Sequence, residues 1–133
     1  MVAFLCENDA LPALDEAASR HLQWNPWIRV IPVRCLGAVN VVWIADALSR
    51  GVDAVLLMGC RRGDDYQCHY IQGSELAQKR MENVQETLTR LSLEAQRVKI
   101  VEIARNEFAR VPQVFEELAA TVEEVGANPY KGF

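Results

Sequence analysis

Four times along this chain a short apolar run is followed by a stretch with helical period, and that alternation limits the fold more than any other feature. The runs are VAFLC at 2–6, IRVIPV at 28–33, VDAVLLMG at 52–59 and VKIVEI at 98–103. Brief apolar runs bounded by polar residues, Gly or Pro read as strands buried on both faces. Between them, Leu14, Ala17, Ala18, His21 and Leu22 recur at helical spacing behind Pro12, a residue suited to a first helical turn. Asn40 suits the N-cap of a helix over 41–50, which Gly51 closes. Leu76, Ala77, Met81, Val84, Leu88 and Leu91 line one face of a third helix. Pro112 opens a fourth, carrying Phe115, Leu118, Ala119, Val122 and Val125 and stopped by Gly126. Strands alternating with helices predict a parallel sheet covered on both faces. Short right-handed crossovers make that an α/β, doubly wound, flavodoxin-like sheet of four strands. Pro32 weakens the pairing of the second strand. The ending NPYKGF shows no pattern.

The length, 133 residues, suits one domain over 1–133 and lets it bury about two thirds of its unfolded surface. Because the first strand starts at residue 2, the chain is expected to be the C-terminal part of a larger protein. A net charge of −4 without a basic run argues against a nucleic-acid partner. No apolar stretch approaches the roughly 20 residues of a membrane span, and no signal peptide is visible. The expected compartment is the reducing cytoplasm, where the cysteines are thiols, metal ligands or catalytic groups rather than structural disulfides.

The cysteines carry the sharpest functional signal. Cys6 ends the first strand, Cys35 follows the second, Cys60 follows the third, and Cys68 lies in the loop beyond. In a parallel sheet the carboxyl ends of the strands share one edge, and ligands bind in the crevice outside it. Four cysteines distant in sequence therefore converge in space. Four thiolates suit an iron–sulfur cluster or zinc. Structural zinc usually arrives on paired CxxC knuckles, and this chain has no CxxC. Cys6 and Cys60 also read as small buried residues at strand ends.

Other groups at this edge admit two readings each. His69 is a ligand, a proton donor or an ordinary loop residue. Glu7, Asp9, Asp64 and Asp65 are ligand substitutes, a catalytic pair, helix caps or solvated acids. Arg34, Arg61 and Arg62 offset thiolate charge, dock an acidic partner or face solvent. Trp24, Trp27 and Trp43 flank the second strand as partner surface or core. No glycine pattern marks a dinucleotide or phosphate loop.

The stretches VAFLCEND (2–9), IRVIPVRCLGAVN (28–40), DAVLLMGCRRGDDYQCHYIQGSELAQKRM (53–81) and NPYKGF (128–133) resemble the delta subunit of methyl-viologen-reducing hydrogenase. In particular they resemble the version fused at the C-terminus of the quinone-interacting membrane-bound oxidoreductase protein that is itself similar to the heterodisulfide reductase flavoprotein. The resemblance spans nearly the whole chain, and Cys6, Cys35, Cys60 and Cys68 fall on family cysteine positions. It implies an electron-transfer domain of a multisubunit oxidoreductase, with a [2Fe-2S] cluster held by those four cysteines. FAD is then expected elsewhere in the complex, not in this chain. The implied partners are heterodisulfide reductase-like flavoprotein and iron–sulfur subunits, which bring the domain to the membrane face without its own insertion. Two departures stand out. The hydrogenase-type first motif has further cysteines where this chain has Leu5 and Asp9, and the Cys60-to-Cys68 loop is longer. The alternatives are a cofactor-free subunit-docking module and a thiol redox domain bridged between Cys60 and Cys68.

Overall fold

The computed structural model describes residues 1–61 and 73–131. Four strands, Val2–Cys6 (β1), Arg29–Val33 (β2), Val55–Gly59 (β3) and Val98–Glu102 (β4), alternate with the helices Ala10–Ser19 (α1), Val41–Ser49 (α2), Gly73–Arg90 (α3) and Arg110–Val125 (α4). The strands form one parallel sheet in the order β2-β1-β3-β4. This is the expected doubly wound, flavodoxin-like arrangement. Every residue of the central strand β3 is buried, as a strand covered on both faces requires. The edge strand β2 has one neighbour, so the missing N–H of Pro32, opposite Leu5, is tolerated.

Pleating sends alternate side chains to opposite faces. Ala3, Leu5, Leu56 and Met58 pack with Leu14 of α1 and Val111, Val114, Phe115 and Leu118 of α4. Phe4, Val55 and Leu57 pack with Ile44 and Leu48 of α2 and Ala77, Val84 and Leu88 of α3.

Helix ends follow local chemistry. Asn40 caps α2, its Oδ1 accepting from the Val42 N–H at 2.9 Å. α1 starts at Ala10, ahead of Pro12, and stops before His21 and Leu22, which helical spacing alone would include. His21 takes φ +59, and the Leu22 N–H reaches back to the Ala17 carbonyl at 3.0 Å, closing the last turn. Leu76 also departs from expectation. It is 43% exposed, because it sits about 100° around α3 from the buried Ala77.

The amino edge of the sheet is pinned by polar groups. Arg97, 1% exposed, donates to the Asp53 carbonyl at 2.9 Å and the Gly126 carbonyl at 3.0 Å. Asn128, also buried, donates through Nδ2 to the Leu48 and Val52 carbonyls at 2.7 Å each. Its Oδ1 accepts from the Tyr130 N–H at 2.9 Å. The patternless ending is thus a structural clasp as far as residue 131. This edge lies opposite the one that carries Cys6 and Cys60.

Candidate functional site

The strand order reverses between β1 and β3. β1 continues outward to β2, and β3 outward to β4. Connections leaving β1 and β3 therefore turn to opposite faces, and the gap between them is the topological switch point where ligands bind in open α/β sheets. Cys6 is the last residue of β1, and Cys60 directly follows β3. Their Sγ atoms lie 3.5 Å apart, and both residues are buried. The register explains the meeting. Leu5 is paired with Met58, so Cys6 and Cys60 lie one and two rows beyond the last pair, on neighbouring strands.

The local backbone favours negative charge on Cys6. The Ala10 N–H, in the first turn of α1, donates to its Sγ at 3.4 Å. A helix N-terminus presents such unpaired N–H groups together with the positive end of the helix dipole. Hydrogen bonding from Cys60 lowers the Cys6 thiol most. Burial opposes it, and the Ala10, Asp9 and Asn8 N–H groups add to the lowering, bringing Cys6 down to about 6. The same pairing with Cys6, followed by burial, pushes the Cys60 thiol far up. One thiolate and one thiol is thus the favoured state of the pair.

The β1–α1 turn encloses the sulfurs. Asn8 Nδ2 lies 3.6 Å from Cys60 Sγ and 3.4 Å from Asp9 Oδ1. Asp9 is 3% exposed, and its Oδ2 is buried without a hydrogen-bond partner. Burial raises its carboxyl above the usual range, against opposing effects of Cys60 and Arg105. Arg105 holds the turn from outside, donating to the Asn8 carbonyl at 2.6 Å.

Cys35 occupies the same edge on other supports. It precedes a 3-10 turn, Leu36–Ala38, and its Sγ accepts from the Gly37 N–H at 3.4 Å. Arg80 of α3 donates to the Gly37 carbonyl and, at 3.0 Å, to the Val39 carbonyl, so α3 carries the turn. Leu36 packs on the α2/α3 face, whereas Cys6 and Cys60 join the α1/α4 side. Among the described residues, no group of three or more His, Cys, Asp or Glu side chains is placed to hold a metal ion. The structure brings the Cys6 and Cys60 sulfurs together, and the Cys35 sulfur sits on the turn that follows β2 at the same edge. Cys68, His69, Arg62, Asp64 and Asp65 lie outside the described residues.

Gly59 keeps this edge close-packed. A Cβ there would stand 2.8 Å from Leu36 Cγ and 2.9 Å from Ser74 Oγ. Ser74 Oγ donates to the Cys60 carbonyl at 2.7 Å, joining the start of α3 to the end of β3. Of the arginines beside the cysteines, Arg34 is exposed. Arg61 pairs with Glu107 at 2.7 Å, a carboxylate that Arg110 also reaches at 2.8 Å. Glu7 is exposed, and Trp24 meets Phe115 edge-on at 6.2 Å as core. Trp27 and Trp43 are exposed, at 79% and 47%. Ser74 and Arg80 escape a reading of the sequence. The sole hint is a Gly-Ser pair heading the third helix.

Residues 1–126 match the family model described as methyl-viologen-reducing hydrogenase, delta subunit. The chain belongs to this family. It is 33% identical over 131 residues to the iron-sulfur D subunit of the F420-non-reducing hydrogenase of Archaeoglobus profundus, covering 98% of this chain and 92% of that protein. It is 26% identical to the corresponding vhu iron-sulfur protein of Methanocaldococcus jannaschii, again over 98% of this chain and 96% of the relative. It is also 32% identical over 126 residues to the A subunit of the ferredoxin/F(420)H(2)-dependent CoB-CoM heterodisulfide reductase of Methanosarcina acetivorans. That match takes in 95% of this chain and 16% of the larger protein. The family thus occurs both as a small polypeptide and as part of a long one.

Proposed function

We propose that this chain is an electron-transfer domain of a multisubunit oxidoreductase of the hydrogenase and heterodisulfide reductase type, carrying a [2Fe-2S] cluster at the carboxyl edge of its sheet. The observation that carries the reading is the buried Cys6–Cys60 pair at the switch point, 3.5 Å between sulfurs. Two thiolates on one tetrahedral metal, at metal–sulfur lengths of about 2.3 Å, stand about 3.7 Å apart. The pair fits that spacing, whereas a disulfide needs about 2.05 Å. Tetrahedral sulfur sites take zinc or iron–sulfur clusters. The small relatives are named as iron-sulfur subunits, which favours the latter. Cys6 and Cys60 would serve as two of the ligands and Cys35 and Cys68 as the others.

The cluster, when bound, supplies one-electron redox chemistry. The chain's own residues set its surroundings. The Ala10 N–H and the Asn8 amide face the Cys6 and Cys60 sulfurs and disperse their charge. Burial keeps water from them. Hydrogen bonds to sulfur and solvent exposure both tune cluster potentials. No substrate pocket is required, because electrons pass between neighbouring cofactors. FAD and the other iron–sulfur groups would sit in partner subunits, a heterodisulfide reductase-like flavoprotein among them. Among the described residues no helix is long and apolar enough to cross a membrane. Contact with a membrane would run through a partner, from the cytoplasmic side. Anaerobic reconstitution with iron and sulfide, followed by visible absorption and EPR of the reduced chain, tests the reading. A cluster spectrum that Cys6→Ser abolishes is expected.

A second reading, a cofactor-free docking module of the same complex, draws on the exposure of Trp27 and Trp43. A folded chain that takes up no iron under those conditions would select it.

A further inference from the structure

We propose that Cys6 and Cys60, when they hold no cluster, form a dithiol/disulfide couple that exchanges two electrons with small thiols and disulfides. The inference needs only the two sulfurs and does not rest on the cluster reading. Their Sγ atoms are 3.5 Å apart in a buried setting. The backbone allows the bond as well. The pair sits on adjacent strands, offset by one row beyond Leu5 and Met58. A strand spacing of about 4.8 Å and a rise of about 3.3 Å put their Cα atoms about 6 Å apart. That lies inside the roughly 4.4–6.8 Å range that disulfides span. Small side-chain rotations then bring the sulfurs to bonding distance without strand movement.

The Cys35 sulfur is held within its own turn by the Gly37 N–H, on supports that come from α3. Cys68, and with it the Cys60–Cys68 bridge of the alternative reading, lies outside the described residues, and the proposal is built on Cys6 and Cys60 alone.

The step balances with a low-molecular-weight disulfide as oxidant. One protein thiolate attacks a sulfur of RSSR, forming a mixed disulfide and releasing RS⁻, which takes up the proton lost by that thiol. The second protein thiolate attacks the protein sulfur of the mixed disulfide, releasing a second RS⁻ that is protonated in turn. Two protein thiols are oxidised and one RSSR is reduced to two RSH. Both cysteines are buried, so the exchange needs a partner small enough to reach them.

The full chain, stripped of iron by a chelator, is equilibrated without oxygen in graded mixtures of mercaptoethanol and hydroxyethyl disulfide. It is then acid-quenched, alkylated in denaturant, digested and weighed. The expected product lacks two hydrogen atoms, yields a linked Cys6–Cys60 peptide and leaves Cys35 and Cys68 alkylated. Cys60→Ser is expected to stop at the first step, with one small thiol bound to Cys6. A bridge through Cys35 or Cys68 overturns the proposal. So does full alkylation of Cys6 and Cys60 at every mixture in a chain that circular dichroism shows folded. If chelation unfolds the chain, the Cys35→Ser/Cys68→Ser double variant, which lacks the four thiolates for a cluster, replaces it. A linked Cys6–Cys60 peptide is again expected, and full alkylation of the folded variant again overturns the proposal. Failure to bind iron contradicts the cluster reading and leaves this test intact. Iron binding without the bridge overturns only the couple.

Discussion

At Cys6 a single sulfur combines a strand end, a helix start and a partner thiol. The Cys60 hydrogen bond and the N–H groups around Ala10 outweigh the cost of burying a thiolate, which brings Cys6 to about 6. An unperturbed thiol ionises near 8.5. In the reduced, cluster-free Cys35→Ser/Cys68→Ser variant, ultraviolet absorbance is therefore expected to show one thiolate appearing as the pH rises through about 6. Cys60 should stay protonated well beyond neutrality, because its negative neighbour opposes a second charge. Loss of the low step in Cys6→Ser assigns it. A single transition near the ordinary thiol value would refute the pairing. At the same scale, Gly59→Ala drives a methyl against Leu36 and Ser74. Overpacking of this kind costs about 1–3 kcal/mol, and chemical denaturation is expected to show that loss.

The elements themselves are largely legible in the sequence. Each strand and helix has a periodicity local to its own residues, so VLLMG and the Phe115–Leu118–Val122 stripe identify themselves without knowledge of the fold. The meeting of Cys6 with Cys60 is legible one level up, because parallel topology sends strand ends to one edge. The way the Cys35 turn is held is not. It depends on which face the turn after β2 packs against, and that is decided by Leu36 and by Arg80 reaching across from α3. The exposure of Leu76 is hidden for a similar reason. Its apolar character counts equally toward two adjacent helix faces, and packing chooses between them. Arg61 shows how a distant segment supplies a partner that the sequence hides. Its partner Glu107 comes from the segment between β4 and α4, far away in the chain.

Across the whole molecule, the two sheet edges divide the labour. The carboxyl edge holds Cys6, Cys35 and Cys60, while the amino edge is locked by Arg97, Asp53 and Asn128. Asn128 is invisible to pattern reading because the carbonyls it satisfies, Leu48 and Val52, lie more than 70 residues earlier. Asn128→Ala would take a donor from both carbonyls, of which Leu48 keeps the Gly51 N–H at 3.1 Å, at about 1–3 kcal/mol. Denaturant unfolding is expected to show the loss while the Cys6 thiolate step keeps its midpoint, since the clasp is at the opposite edge. A shift of that midpoint would mean that the edges are coupled.

Whether the thiol edge is a cluster site is tested most directly by iron and acid-labile sulfide per folded chain after anaerobic purification or reconstitution. About two of each are predicted, falling away in Cys60→Ser. A folded wild-type chain with neither iron nor sulfide would contradict the cluster assignment.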